Sequence, residues 1–184
     1  MSVNFRVYFR AFELDDFETS FFWRQDELIW ESVVGRRYYV SKDYERKWVE
    51  KRVYGLPNSE AFSICMRGTS QYIGNAYLND IDFFNRSCSV GLIIGDASSR
   101  GNGLGQEVIL LLLKHAFLEL GLERVGARQL TSNTASIKAH KRAGFQIEGV
   151  ARKAAMKGGK LVDLNLMSCL RDDFLRLWEQ LRNS

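Results

Sequence analysis

Proline is all but missing from this chain, with one in 184 residues. That residue, Pro57, lies in Gly55-Leu56-Pro57-Asn58-Ser59, which reads as a loop between two halves of one domain. Cysteine is also scarce. Cys65, Cys88 and Cys169 are odd in number and widely spaced, so neither a disulfide framework nor a metal site is expected. Buried free thiols suit a reducing compartment, and the expected location is cytoplasmic. Met1 to Arg6 lacks the apolar core of a signal peptide. The longest unbroken aliphatic run, Val108 to Leu113, falls far short of the roughly 18 residues that span a bilayer. Basic runs are short as well: Arg36-Arg37 and Lys51-Arg52 read as solvated positions, and no nucleic acid or membrane partner is expected. Internal repeats and low-complexity tracts are missing too.

What is present describes a globular enzyme-sized chain. Apolar residues make up 46% and charged residues 26%, with a net charge of +4, which excludes a disordered segment. The length suits one domain over residues 1–184. The pattern predicts a strand over Val3 to Phe12, then helices over Asp16 to Val34 and Lys42 to Tyr54. Ala61 to Arg67, Gln71 to Leu78 and Ser87 to Ile94 read as consecutive antiparallel strands, because their connections are short. A helix over Gln106 to Leu118, a strand over Arg124 to Leu130 and a helix over Asn133 to Ala143 come next, the last with Gly144 as its end cap. Phe145 to Ala154 and Leu161 to Cys169 predict a hairpin turned at Lys157 to Lys160, and Asp172 to Leu181 a final helix. The order is mixed α/β.

The segment richest in chemistry is Ser98-Ser99-Arg100-Gly101-Asn102-Gly103-Leu104-Gly105, between the strand-like Val90 to Ile94 and the long apolar helix. Glycine permits a tight turn and close approach of a ligand. The first turn of a helix has unpaired amides, and its dipole favours an anion. Spacing then narrows the ligand. A dinucleotide fingerprint would need glycine where Gln106 stands, and no Gly-Lys-Ser/Thr triplet marks a triphosphate loop. By itself the turn fits a pyrophosphate cradle and a purely structural glycine turn equally well.

Further motifs stand in register with it: Gly91-Leu92-Ile93-Ile94-Gly95-Asp96, Ala116 to Val125, Asn133-Thr134-Ala135-Ser136-Ile137, Ala143 to Gly149 and Gly159 to Asp163. Together they resemble the GNAT superfamily of acyl-CoA-dependent N-acetyltransferases, in the branch of the ribosomal-protein N-terminal and spermidine acetyltransferases. The resemblance is strong from Gly74 to Met167 and weaker from Phe5 to Gly55. It implies a GNAT fold, an α/β (α+β) three-layer architecture with a mixed central sheet of about seven strands flanked by helices. It implies acetyl-CoA as co-substrate and an amine acceptor, either a protein N-terminus or a small molecule, in a monomer or homodimer.

The resemblance also assigns roles. Arg100, Gly101, Asn102, Gly103, Leu104 and Gly105 would hold the pyrophosphate, with Arg100 adding charge or bracing the loop. The backbone of Ile93 and Ile94 would line the pantetheine arm, one amide polarising the thioester carbonyl; such donors supply roughly 2.7–4 kcal/mol each. Asn133 and Ser136 would meet the pantetheine region, although asparagine there is equally a helix cap. Lys138, Lys141 and Arg142 would either meet the CoA phosphates or, as each reads by itself, form a solvated basic face. His140 stands where many relatives carry a tyrosine that protonates the thiolate, and is either a catalytic acid or base or a packing residue. Histidine has a reference pKa of about 6.5 and a thiol of about 8.5, so the imidazolium would donate readily and the neutral ring poorly. His115 reads as structural. Where many relatives carry a glutamate base, this chain has Ser89, which leaves deprotonation to water, to another carboxylate or to the neutral fraction of the amine. Asp80, Asp82, Asp26, Glu27 and Glu31 are candidates for acceptor recognition, or ordinary surface charges. An acyl-CoA-binding sensor that has lost catalysis is the alternative to an enzyme.

Overall fold

The structure, a computed structural model, describes residues 3–183. Seven strands pair into one sheet in the order β1-β2-β3-β4-β5-β7-β6. They are β1 (Val7–Arg10), β2 (Glu60–Met66), β3 (Tyr72–Asp82), β4 (Ser87–Ile94), β5 (Arg124–Leu130), β6 (Gln146–Lys157) and β7 (Lys160–Leu170). Side chains alternate across a strand, so β3 and β4 present two unlike faces. Ala76, Leu78, Cys88 and Val90 enter the main core on one side, and Ile73 joins them through the register shift opposite Ile64 and Cys65. Asn75, Tyr77, Ser89 and Gly91 occupy the other parity.

The main core is capped by α4 (Leu104–Lys114), whose Val108, Ile109, Leu112 and Leu113 are fully buried, with α5 (Thr134–Arg142) and α6 (Arg171–Asn183) beside it. The opposite face is covered by α1 (Phe17–Trp23), α2 (Glu27–Ser32) and α3 (Lys42–Val53). There a second, smaller cluster forms from Phe12, Phe17 and Val49, with Trp48 and Tyr77 packed against it. The result is the expected three-layer fold. No helix among the described residues is long and apolar enough to cross a membrane.

One pairing opens the sheet. β4 runs parallel to β5, but only Ser87↔Arg124, Cys88↔Val125 and Ser89↔Gly126 are in register. Beyond Ser89 the two strands part. β4 keeps its antiparallel partner β3 down to Gly74↔Ile94, so Val90 to Ile94 carry a free backbone edge on the β5 side.

Several boundaries depart from the sequence pattern. The predicted helix over Asp16 to Val34 is a 3-10 turn (Leu14–Asp16), then α1 and α2. Asp26 interrupts it by taking an extended conformation and capping α2, its carboxylate accepting from the Leu28 amide. The first strand is confined to Val7–Arg10, because the Arg6 amide is drawn to Glu107. β3 extends four residues past its predicted end, to Asp82, through an irregularity after Asn79. The Lys157 to Lys160 turn is where the pattern set it. Gly158 and Gly159 both take positive φ, at 52° and 76°, which a two-residue hairpin loop of this kind demands.

Candidate active site

The free edge of β4 leads directly into the glycine turn. Gly101 and Gly103 adopt φ of 76° and 79°, and Gly103 is the residue from which α4 starts. Leu104 is buried and anchors the helix in the core, while Gly101, Asn102 and Gly103 are exposed. Among the described residues no carbonyl accepts from the amides of residues 101–105; the first amide of the helix to be paired is that of Gln106, on Gly103. Five donors in sequence are therefore left for a ligand or solvent, at the positive end of a helix. A Cβ at Gly101 or Gly105 would meet nothing within 4 Å, so the space above the turn is open. These features fit an anionic diphosphate.

The turn is braced from behind. Arg100 does not reach over it: its Nε donates to the Ile94 carbonyl at 2.9 Å and an Nη donates to the Gly95 carbonyl at 2.6 Å. The same guanidinium meets Asp26 at 2.6 Å. Burial alone would raise the Asp26 pKa, but Arg100 and the Leu28 amide outweigh it and hold the carboxyl below its ordinary value. Of the two roles open to Arg100, bracing is the one its contacts serve. Arg6, which the sequence did not single out, locks the other side. Its Nε donates to Glu107 at 2.6 Å and an Nη to the Asn102 carbonyl at 2.9 Å.

Asn133 is the cap of α5, accepting from the Ser136 amide at 3.0 Å, and its Nδ2 donates to the Ser32 carbonyl at 2.9 Å. It thus ties the end of α2 to the start of α5. Ser136 Oγ donates to Gln129 Oε1 at 2.7 Å, leaving the Gln129 amide nitrogen to donate to His140 Nε2 at 3.2 Å. His140 Nδ1 faces the Ser136 carbonyl at 2.9 Å. A carbonyl only accepts, so Nδ1 carries the proton and Nε2 is bare. Burial lowers the His140 pKa, and the ring, 2% exposed and edge-on to Phe145, is neutral. Both nitrogens are committed within the fold. That geometry favours the packing role left open for His140. Gln129, on β5, is the centre of this network and carried no signal in the sequence.

On the opposite wall charge is stored in pairs. Glu45 is fully buried and accepts from Ser20 Oγ at 2.7 Å and Arg24 Nε at 2.8 Å. Asp16 accepts from both terminal nitrogens of Arg10, at 2.8 and 2.6 Å, and from Ser63. Trp23 lies against Gly95, where any Cβ would fall 1.9 Å from the indole. Glu27 pairs with Arg37. Lys138, Lys141 and Arg142 are exposed, and His115 pairs with Glu60 at 2.6 Å, on the main-core side of the sheet.

Where the two walls meet, Ser89 is the last residue of β4 paired to β5. Its Oγ donates to Asp80 Oδ2 at 3.0 Å. Asp80 borders a cleft of about 650 Å³ that Arg52, Ser59 and Asn79 also line. Asp82 lines it too, but accepts from the amide and side chain of Asn85. Burial raises all three thiol pKa values, those of Cys88 and Cys169 to about 12, so no thiolate nucleophile is present. Among the described residues no three His, Cys, Asp or Glu side chains are grouped to hold a metal ion.

Residues 6–146 match the acetyltransferase (GNAT) domain family. The chain is 30% identical over 129 residues to YokL, an uncharacterized N-acetyltransferase derived from a prophage of Bacillus subtilis, covering 70% of this chain and 71% of that one. It is 32% identical over 113 residues to p20, an uncharacterized N-acetyltransferase of Bacillus licheniformis; that match covers 61% of this chain and 63% of p20. Among solved structures, the spermidine N-acetyltransferase of Vibrio cholerae in complex with CoA and spermine superposes with a TM-score of 0.84 at 20% identity, over 92% of this chain and 98% of that one.

Proposed function

The chain belongs to the acetyltransferase (GNAT) family, and from that premise we propose that it transfers the acetyl group of acetyl-CoA to a primary amine by direct attack. The observation that carries this reading is the parting of β4 from β5 beside the glycine turn. The free edge from Val90 to Ile94 offers amides and carbonyls to the amide-rich pantetheine arm, as a neighbouring strand would. The unpaired amides of residues 101–105 sit at its end, where a pyrophosphate would come next. An Ile93 or Ile94 amide held rigid in the sheet stabilises the developing oxyanion without reorganising, an effect worth roughly 2.7–4 kcal/mol.

Deprotonation of the acceptor runs through Ser89. Its proton is already donated to Asp80, so its oxygen lone pairs are free to accept from an ammonium group. As that proton arrives, the serine proton passes to Asp80, and the neutral amine attacks. The Ser89–Asp80 pair stands in for the glutamate that relatives carry, which favours an enzyme over a CoA-binding sensor. His140, neutral and fully bonded, serves by fixing Gln129 and Ser136.

Thiol release from acetyl-CoA, scanned over N-terminal peptides, polyamines, amino sugars and amino acids near pH 8, tests the reading. Saturable release with one acceptor class is expected. Tight CoA binding with no turnover across the panel would leave the sensor in its place.

A further inference from the structure

Resting on the acetyltransferase reading, we propose a chemical class for the acceptor: it is an amine that also carries a carboxylate, an amino acid or a close analogue, and Arg52 binds the carboxylate. The starting point is an accounting of charge on the acceptor wall. The acids packed into that wall are paired: Glu45 holds Arg24 and Ser20, Asp16 holds Arg10 and Ser63, and Asp26 holds Arg100, while Asp80 at the cleft accepts, among the described residues, only from Ser89. Arg10, Arg24 and Arg100 are thereby neutralised. Arg52 is not. It makes no ion pair and no side-chain hydrogen bond among the described residues, and its Nε is shut from solvent with no acceptor. A buried donor left unsatisfied is unfavourable, and the guanidinium that carries it has no acceptor within the described chain. The other such donor, Arg37 Nε, differs because that guanidinium is already on Glu27 and the Gln25 carbonyl.

Arg52 is also held in a fixed pose. Its guanidinium lies 4.9 Å from the Trp48 ring centroid and 5.7 Å from that of Tyr77. Stacking leaves the planar edge of the fork free, and that edge matches a carboxylate. It opens on the cleft shared with Ser59, Asn79 and Asp80. That cleft abuts the reacting strand: Asn79 pairs in register with Ser89, and a Cβ on Gly91 would come within 3.8 Å of the Asn79 amide nitrogen. One molecule can therefore place its amine at the Ser89–Asp80 pair and its carboxylate at Arg52. A polyamine would have to place one of its ammonium groups beside the Arg52 guanidinium, where an amino acid places a carboxylate.

The experiment compares each natural L-amino acid with its α-carboxamide, which keeps size and removes the negative charge, and includes spermidine. Two readouts run in parallel: calorimetric binding to the enzyme saturated with CoA, and thiol release from acetyl-CoA. At least one acid is expected to bind tenfold or more tightly than its amide, the scale of one charge-assisted hydrogen bond. Arg52→Gln should bring that ratio close to one, and Arg52→Lys should restore part of it; CoA affinity reports that both variants are folded. Equal binding of acids and amides, binding of no amino acid at all, or preference for spermidine would overturn the proposal. Loss of the acetyltransferase reading looks different: no amine releases thiol, or CoA fails to bind and the calorimetry is run on the enzyme without it, while the acid-to-amide binding ratio still decides the role of Arg52.

Discussion

The two walls of the cleft solve opposite problems. On the donor side, from Ile93 through Gly105 into α4, the working groups are backbone amides left without partners by strand divergence and by two glycines at positive φ. On the acceptor side, the buried charges of α1 to α3 and the sheet are matched in pairs, and Arg52 borders the cleft without an ion pair. A backbone site is shaped by topology and cannot be tuned by a single residue without changing the turn. A side-chain site can be retuned at one position. In the function we propose, the shared reaction rests on the donor wall, and an individual substrate preference on the acceptor wall.

The acceptor wall is most vulnerable at Glu45. Its carboxylate is fully buried against Arg24 and Ser20, and removing one partner of such a pair leaves the other buried and uncompensated. Glu45→Ala is expected to cost about 3–5 kcal/mol of stability, read as a lowered urea midpoint. A loss below about 1 kcal/mol would mean that Arg24 finds water and that the wall is not held by its charges.

The donor wall has its own test, of about 3 kcal/mol. Gly103→Glu places a carboxylate beside the free amides and forces a non-glycine residue to φ of 79°. The strain costs roughly 1–2 kcal/mol, well short of unfolding a domain of this size, whereas CoA affinity should fall by about 100-fold or more as charge-assisted bonds are lost. Unchanged CoA affinity by calorimetry would refute the assignment of the turn. Gly101→Glu, into open space, should act in the same direction.

The same asymmetry explains which parts were legible in the sequence. Glycine spacing, the aliphatic strand and the long apolar helix carry their geometry in local pattern, so Gly101 to Gly105, α4 and the Gly158-Gly159 hairpin stood out. The acceptor wall did not. Arg52 lies in an ordinary-looking Lys-Arg pair; Trp48, four residues before it on the same helix, is within local reach, but nothing local brings Tyr77 from a separate strand. The long helix expected over Asp16 to Val34 breaks because Asp26 is needed by Arg100, 74 residues away; propensity yields to a tertiary contact. Arg6 and Glu107 brace the turn across 101 residues, again with no local trace. Ser89 was legible only as a missing glutamate, and its link to Asp80 required the bulge after Asn79.

Asn133 is where the walls touch, and it probes their junction at a smaller scale. Asn133→Ala removes the α5 cap and the bond to the Ser32 carbonyl. About 1 kcal/mol of stability should be lost. If the side chain also meets the pantetheine arm, the CoA dissociation constant rises beyond what Asn133→Asp, which keeps the cap, produces.

The smallest effect separates structure from chemistry at His140. Burial lowers its pKa below the ordinary 6.5, so the unfolded chain takes up the proton at higher pH than the folded one. Stability owed to the neutral ring is complete above about pH 6.5 and is lost as pH falls through the lower folded pKa. Urea midpoints measured from about pH 8 down to pH 5 should therefore drop more steeply for the native chain than for His140→Gln, which cannot titrate. At pH 8 the imidazole is neutral in both folded and unfolded chains, and its only proton lies on the Ser136 carbonyl. A ring in that state supplies no acid to the departing thiolate, so kcat of His140→Gln at pH 8 should stay within about threefold of the native value, far from the 10²–10⁴-fold that a general acid contributes. A loss of that larger size, in a variant with native CoA affinity, would return His140 to the chemistry and require the Ser136 bond to open during turnover.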